Sequence, residues 1–195
     1  VHYSTKHIDA LDMLKTNIDE RSLAAQAGAG ALGRKTDSLI TTQMDTATQT
    51  IAHGSAGMTK AKAYTAFETL GNNDVPDDGQ RFFVVSHAGW TDLLDVDQFS
   101  NADYIGQSEL PFNGMTAKRW MGFLWFTFSG LDVASNIRKC FAYHTTSMGH
   151  GIGKDVSQDI TWDGRKQAHL VVNKMSQGSV LVDANGIIEV SISEA

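Results

Sequence analysis

Val75-Pro76-Asp77-Asp78-Gly79-Gln80-Arg81-Phe82-Phe83-Val84-Val85-Ser86-His87-Ala88-Gly89-Trp90, continuing to Asp92-Leu93-Leu94, is the stretch whose reading decides the fold. The polar cluster Asn72 to Gly79, with its proline and glycine, reads as a turn. Phe82 to Val85 is a short, unbroken apolar run, which predicts a strand covered on both faces. Ser86 stands where a hydroxyl can accept from the free N–H groups of a helix start, and that helix would bury Trp90, Leu93 and Leu94. Turn, buried strand and capped helix, in that order, make a mixed core element.

Upstream, Arg21 to Ala52 has no proline and is rich in Ala, Gln, Thr and Leu. Leu32, Leu39, Ile40, Met44, Ala47 and Ile51 form one stripe at about 3.6 residues per turn. Lys35, Asp37, Thr42 and Asp45 lie opposite. The pattern predicts a long one-sided helix ending near His53-Gly54, where glycine takes the left-handed cap. Ile8, Leu11 and Leu14 have helical spacing ahead of it. Thr59 is placed to cap a further helix with Tyr64, Phe67 and Leu70 inward and Gly71 at its close.

Downstream, Asp95 to Thr116 reads as mostly loop, and Met121 to Phe128 as another fully buried strand. Strands are predicted at Lys139–His144, Asp159–Trp162, Ala168–Lys174, Ser179–Asp183 and Ile187–Ile192. Asn185-Gly186 carries the composition of a two-residue hairpin turn. In the final strand Ile188, Val190 and Ile192 alternate with Glu189, Ser191 and Ser193, the pattern of a half-buried strand. The fold class is α+β, with helices early and a mixed or antiparallel sheet late.

The 195 residues suffice for one domain or two small subdomains. Sixteen basic against 22 acidic side chains, a formal charge of -6, argue against a tight nucleic-acid grip, which requires a basic face. The single cysteine, Cys140, excludes an internal disulfide. The apolar run Trp120 to Phe128 is about half the ~18 residues of a membrane-spanning helix, so no membrane partner is expected. Val1 to Lys6 shows no secretory pattern, and a chain starting at valine reads as a processed or truncated product.

Several spellings invite chemistry. Gly28-Ala29-Gly30-Ala31-Leu32-Gly33 is a G-x-G-x-x-G, which would make the chain a nucleotide- or cofactor-binding enzyme. That motif works only between a strand and a helix, and here the preceding Asp19 to Ala27 reads as helix. Continuity of Arg21 to Ile51 as one helix is therefore the discriminating observation. Gly149 to Asp155 resembles a phosphate loop, but Met148 stands where its first glycine belongs and Asp155 where Ser or Thr belongs. A flexible loop is the better reading, with anion binding by a backbone nest as the alternative. Cys140, His144 and His150 are conceivable zinc ligands. On a strand, however, Cys140 and His144 stand about 13 Å apart, whereas each ligand must lie ~2.0–2.3 Å from the metal. His87 reads as a capping or packing histidine. The pairs Asp77-Asp78 and Asp92 with Asp95 sit where turns and helix ends favour Asp anyway. Trp90, Trp120, Trp125 and Trp162 read as core fillers. No catalytic, cofactor-binding or metal-binding residues are assigned, and no cofactor is expected.

Four pieces, in order, carry a resemblance to the major capsid proteins of tailed bacteriophages, the Hong Kong 97 type of shell protein. Ala31-Leu32-Gly33-Arg34-Lys35-Thr36-Asp37 resembles that family's long spine helix. Arg81 to Ser86, with Trp90 and Leu93-Leu94, resembles its axial strand and helix. Gly114 to Ser129, with Trp120-Met121-Gly122-Phe123, resembles the strand that follows. Phe141-Ala142-Tyr143-His144, then Gly178-Ser179-Val180 and Gly186-Ile187-Ile188, resemble the closing β segments.

The resemblance implies a long spine helix packed on a mixed or antiparallel sheet, plus an axial α/β subdomain. It implies a peripheral domain of residues 1–55 with about 155–178, and an axial domain of 56–154 with about 179–195. It implies no enzyme. The chain would be a structural subunit that self-assembles through capsomer contacts into an icosahedral shell enclosing DNA. Its partners would be copies of itself, then scaffolding, portal and decoration proteins, with packaged DNA touched only weakly. It would belong to the virion and assemble in the bacterial host cytoplasm. In that family an N-terminal arm and an extended two-stranded loop precede the spine helix, and this chain is expected to lack both. Loops Asn72–Gly79, Gln98–Met115 and Thr145–Lys154 are expected to make intersubunit contacts, being polar and long. Another phage structural component, such as a decoration or tail protein, is the remaining alternative.

Overall fold

The computed structural model describes residues 1–9, 19–100 and 117–194. They divide into two units. One comprises Val1–Ile40 with His150–Ser179, the other Thr41–Gly149 with Val180 onward.

The first unit is built on helix α1 (Glu20–Met44) and a three-stranded sheet ordered β1 (His2–Asp9), β9 (Ala168–Leu181), β8 (Met148–Asp163). Asp19 starts the helix, its carboxylate accepting from the N–H groups of Arg21 at 3.2 Å and Ser22 at 3.4 Å. Glu20 adds a favourable negative charge in the first turn. Ile8, Ala24, Ala25 and Val171 close a small core. A Cβ built on Gly28 would overlap the side-chain amide of buried Asn173, so glycine there sets how closely helix and sheet approach. One turn further on, Thr36 Oγ1 donates to Gln177 Oε1 at 2.8 Å.

Two expectations for this unit are corrected. Ile8 is not helical: β1 pairs antiparallel with β9 along its whole length, Ile8 opposite His169. Leu11 and Leu14 lie outside the described residues. The long helix stops at Met44, well before His53-Gly54. Thr46 Oγ1 donates to the Gln43 carbonyl at 2.6 Å, a local bond that competes with helix continuation. The β-branched pair Thr50–Ile51 then forms strand β2 beside β10 (Ile187–Ser193). Gly54 does take φ +56°, but in a separate turn with Ser55 at φ 54°.

The second unit is organised by a sheet ordered β2, β10, β7 (Ile137–His144), β3 (Arg81–Val85), β5 (Phe123–Thr127), β4 (Ala117–Trp120), with β6 (Val133–Ala134) against the start of β7. The Phe82–Val85 strand is present as β3, parallel to β5 and antiparallel to β7. Ser86 caps α3 (His87–Leu94), accepting from Gly89 N–H at 3.0 Å. Thr59 caps α2 (Lys60–Asn72) through Lys62 N–H. The buried face of α2, however, is Lys62, Ala63, Ala66 and Leu70, and Tyr64 and Phe67 are exposed. Lys62 Nζ donates to the carbonyls of Ala56 and Gly57 at 2.8 and 2.7 Å, so its buried ammonium pins the preceding turn. Burial lowers its pKa.

The strand expected over Met121 to Phe128 is present as β5, shortened to Phe123–Thr127 and only partly buried. Met121 and Gly122 take φ 51° and 75° and reverse the chain between β4 and β5. The Asn185-Gly186 hairpin is absent: Ala184–Gly186 is a 3-10 turn that carries the chain from β9 into the other sheet. There β10 inserts between β2 and β7 and is covered on both faces, burying Glu189 along with Ile187, Ile188, Val190 and Ile192. Trp125 and Phe83 stack in the core with centroids 3.9 Å apart. Phe123 meets Phe83 edge-on at 5.5 Å. Phe99, on the short helix α4 (Asp97–Ser100), meets Trp90, Trp120 and Trp125 the same way. Lys118 is buried against Phe99, donating to its carbonyl and lying over its ring.

Candidate assembly surfaces

The residues singled out for chemistry do not converge. Gly28 to Gly33 lies inside the unbroken α1, so the strand-to-helix turn that a dinucleotide site needs is not present. Gly149 to Asp155 is part of strand β8 rather than a loop. Cys140 and His144 share strand β7, both buried. His150, on β8, accepts or donates at 2.8 Å with Ser179 Oγ. Among the described residues no group of three or more His, Cys, Asp or Glu could hold a metal. Burial pushes the Cys140 thiol up to about 12, which keeps it an inert packing group. Asp92 is structural, accepting from Met58 N–H at 2.7 Å. His87 is an exposed first helical residue, and Ser86 does the capping.

The turn after α2 is tied down at both ends. Asn73 Nδ2 donates to Gln49 Oε1 at 2.9 Å and to the Asn185 carbonyl at 3.0 Å. Gln80 Oε1 accepts from Thr145 Oγ1 at 2.9 Å. Between them Asp78 meets His144 Nε2 at 3.0 Å. Thr146 N–H points at His144 Nδ1, which assigns the imidazole proton to Nε2 and makes it the donor to Asp78. That bond holds the Asp78 carboxyl below the usual carboxylate range. Asn72–Gly79 and the turn Thr145–Ser147 are thus one braced polar cluster. Of Gln98–Met115, residues 101–115 lie outside the described residues.

A second surface escaped the sequence reading. β8 is the longest strand and lies at a sheet edge, and nearly all of it is exposed. It alternates: Ile152, Val156, Ile160 and Trp162 on one side, Asp155, Ser157, Asp159, Thr161 and Asp163 on the other. Trp162 is half exposed, not a core filler, and its ring meets that of His169 at 4.9 Å. His169 lies directly across from Ile8, which belongs to the small core under α1. The apolar side of β8 therefore continues the helix-covered face of the sheet past the area that α1 covers. The alternation was visible in the sequence, but the glycines at 149, 151 and 153 outweighed it.

Solved structures share the fold. One, from Mycobacterium phage Che8, is 18% identical, with a TM-score of 0.82, covering 97% of this chain and 69% of that one. The capsid of cyanophage P-SCSP1u is 14% identical, with a TM-score of 0.73, covering 100% and 72%. The capsid of a native GTA particle is 12% identical, with a TM-score of 0.74, covering 99% and 72%. No sequence among curated proteins matches. Residues 2–194 match the phage capsid protein family, and the chain belongs to it. It is a structural capsid subunit of a phage shell, with the Hong Kong 97-type fold, and its place is in the virion.

Proposed function

We propose that copies of this chain tile a closed icosahedral shell that encloses DNA, assembled in the cytoplasm of the bacterial host without catalysis by the subunit. Family membership over residues 2–194 is the observation that carries this reading. Closed point-group symmetry is the way such copies complete one another's surfaces. The unit containing α1 and β8 is the peripheral domain, and the unit containing the aromatic core is the axial domain. The braced cluster of Asn72–Gly79 and the turn Thr145–Ser147, together with Gln98–Met115, supplies contacts around capsomer axes, while residues 148–154 of that third segment belong to β8. A net charge of -6 suits a lining that touches packaged DNA weakly. Scaffolding, portal and decoration proteins are the further partners.

Negative-stain electron microscopy of the expressed protein, alone and with its neighbouring phage genes, tests the shell. Closed particles, rings or sheets are expected. A uniformly small species under both conditions would overturn the reading. Multiple substitutions across the three loops should abolish particles, and undiminished assembly would remove those loops from the contacts.

A further inference from the structure

We propose that β8 is a self-pairing edge: two copies of the chain join their β8 strands antiparallel about a two-fold axis, Val156 opposite Val156. The proposal rests on the reading of the chain as a self-assembling subunit and names one contact within the assembly. A long exposed edge strand offers a row of unpaired N–H and C=O groups, and proteins usually blunt it with proline, bulges, charge or shortness. β8 runs from Met148 to Asp163 without proline, and Lys154 is its sole basic residue apart from His150. Its apolar row is open to solvent, with Ile152 61% exposed, Val156 37%, Ile160 42% and Trp162 50%. Among the described residues no strand pairs with the outer edge of β8, and the one backbone bond made locally there is Val156 N–H to Asp155 Oδ1 at 2.7 Å, which the pairing would have to exchange.

The spacing selects the occupant. A two-fold axis normal to the sheet keeps each face on its own side, so even-numbered residues meet even-numbered ones. Centring on Val156 places Ile152 against Ile160, Lys154 against Gln158 and His150 against Trp162. On the other face Asp155 meets Ser157, Asp159 meets Gly153 and Asp163 meets Gly149. No like charges stand directly opposite, and the pairing uses nearly the whole strand. Like charges directly opposed destabilise a sheet. Centring on Lys154 or Asp155 sets that charge against itself, and centring on Ser157 sets Asp155 against Asp159. Centring on Gln158 pushes Ile152 off the end of the partner strand. The sheet's other edge, β1, is a poor alternative: its helix-side residues before Ile8 are His2, Ser4 and Lys6, which would face the apolar row. The joined sheets would run β1-β9-β8 into β8-β9-β1, with the two apolar rows meeting between the two α1 helices.

The test is Val156→Cys against Gln158→Cys in the full chain, oxidised by copper phenanthroline and separated without reductant. Directly opposed residues lie ~4.5–5.5 Å apart at Cα, inside the disulfide range. Gln158 and its mate would be about 13 Å apart along the strand, outside it. Cys140, 0% exposed, stays out of the reaction. Val156→Cys should convert most of the chain to a covalent dimer and Gln158→Cys should not. The double variant Ile152→Cys with Ile160→Cys should also dimerise, which covers the case of a Val156→Cys chain that folds poorly. Absence of dimer in both, or equal dimer from Gln158→Cys, overturns the pairing. Electron microscopy of the unmodified protein separates the two readings. Particles without the specific dimer sink the pairing alone, and the specific dimer without particles upholds the pairing and sinks the shell.

Discussion

The two sheets of this protein spend their apolar residues differently. In the larger sheet, β3, β7 and β10 are covered on both faces, and Phe83, Phe123 and Trp125 are fully buried. In the smaller one, α1 covers only part of one face, and the β8 side chains of the same polarity stand in water. Apolar surface buried within the chain stabilises the fold, whereas apolar surface left open is available to another molecule. The larger sheet is where folding stability concentrates, and the smaller one is where a subunit has most to gain from a neighbour.

The sharpest way to break this contrast is Trp125→Ala. It removes the stack on Phe83 and a hydrogen bond from Nε1 to the Trp120 carbonyl at 2.9 Å. The expected loss is about 3–5 kcal/mol in denaturant unfolding. Gly28→Leu should cost about 1–3 kcal/mol, because the new side chain must displace buried Asn173 or lift α1 off β9. Ser86→Ala should cost about 1 kcal/mol by uncapping α3. The Asp78–His144 bond makes a pH prediction. A depressed folded-state carboxyl stabilises above the unfolded carboxylate range, and the contribution is lost as pH falls through the depressed value. Hydrogen-exchange protection at residues 73–80 should therefore decline in acid, and Asp78→Asn should flatten that decline. The smallest effect on folding belongs to Ile160→Thr, within about 0.5 kcal/mol of the parent, while assembly measured by sedimentation should weaken.

Local chemistry was the legible part of the sequence. Ser86 and Thr59 cap helices because their hydroxyls precede apolar-periodic segments, and β3 follows from an unbroken apolar run. What could not be read depends on long-range pairing. Ile8 has helical spacing, yet β9 claims it for a strand. Asn185-Gly186 has hairpin composition, but β10 finds better-covered neighbours in β2 and β7. Met121 lacks turn character and still adopts a left-handed backbone, because the facing registers of β4 and β5 demand reversal there. Of the candidate assembly surfaces, the polar turns announced themselves by composition. The β8 row did not, since alternation marks a two-faced strand without saying whether α1 reaches far enough to cover it.

The pairing of His2–Asp9 with Ala168–Met175 sets a timetable during synthesis. β1 is made long before the strand that receives it, and β10, central to the other sheet, is made after β9. Neither sheet can close while translation is still short of these strands, and such late, distant pairings are slow to form. A growing chain therefore carries unpaired strand edges in both units until β9 and β10 have been made.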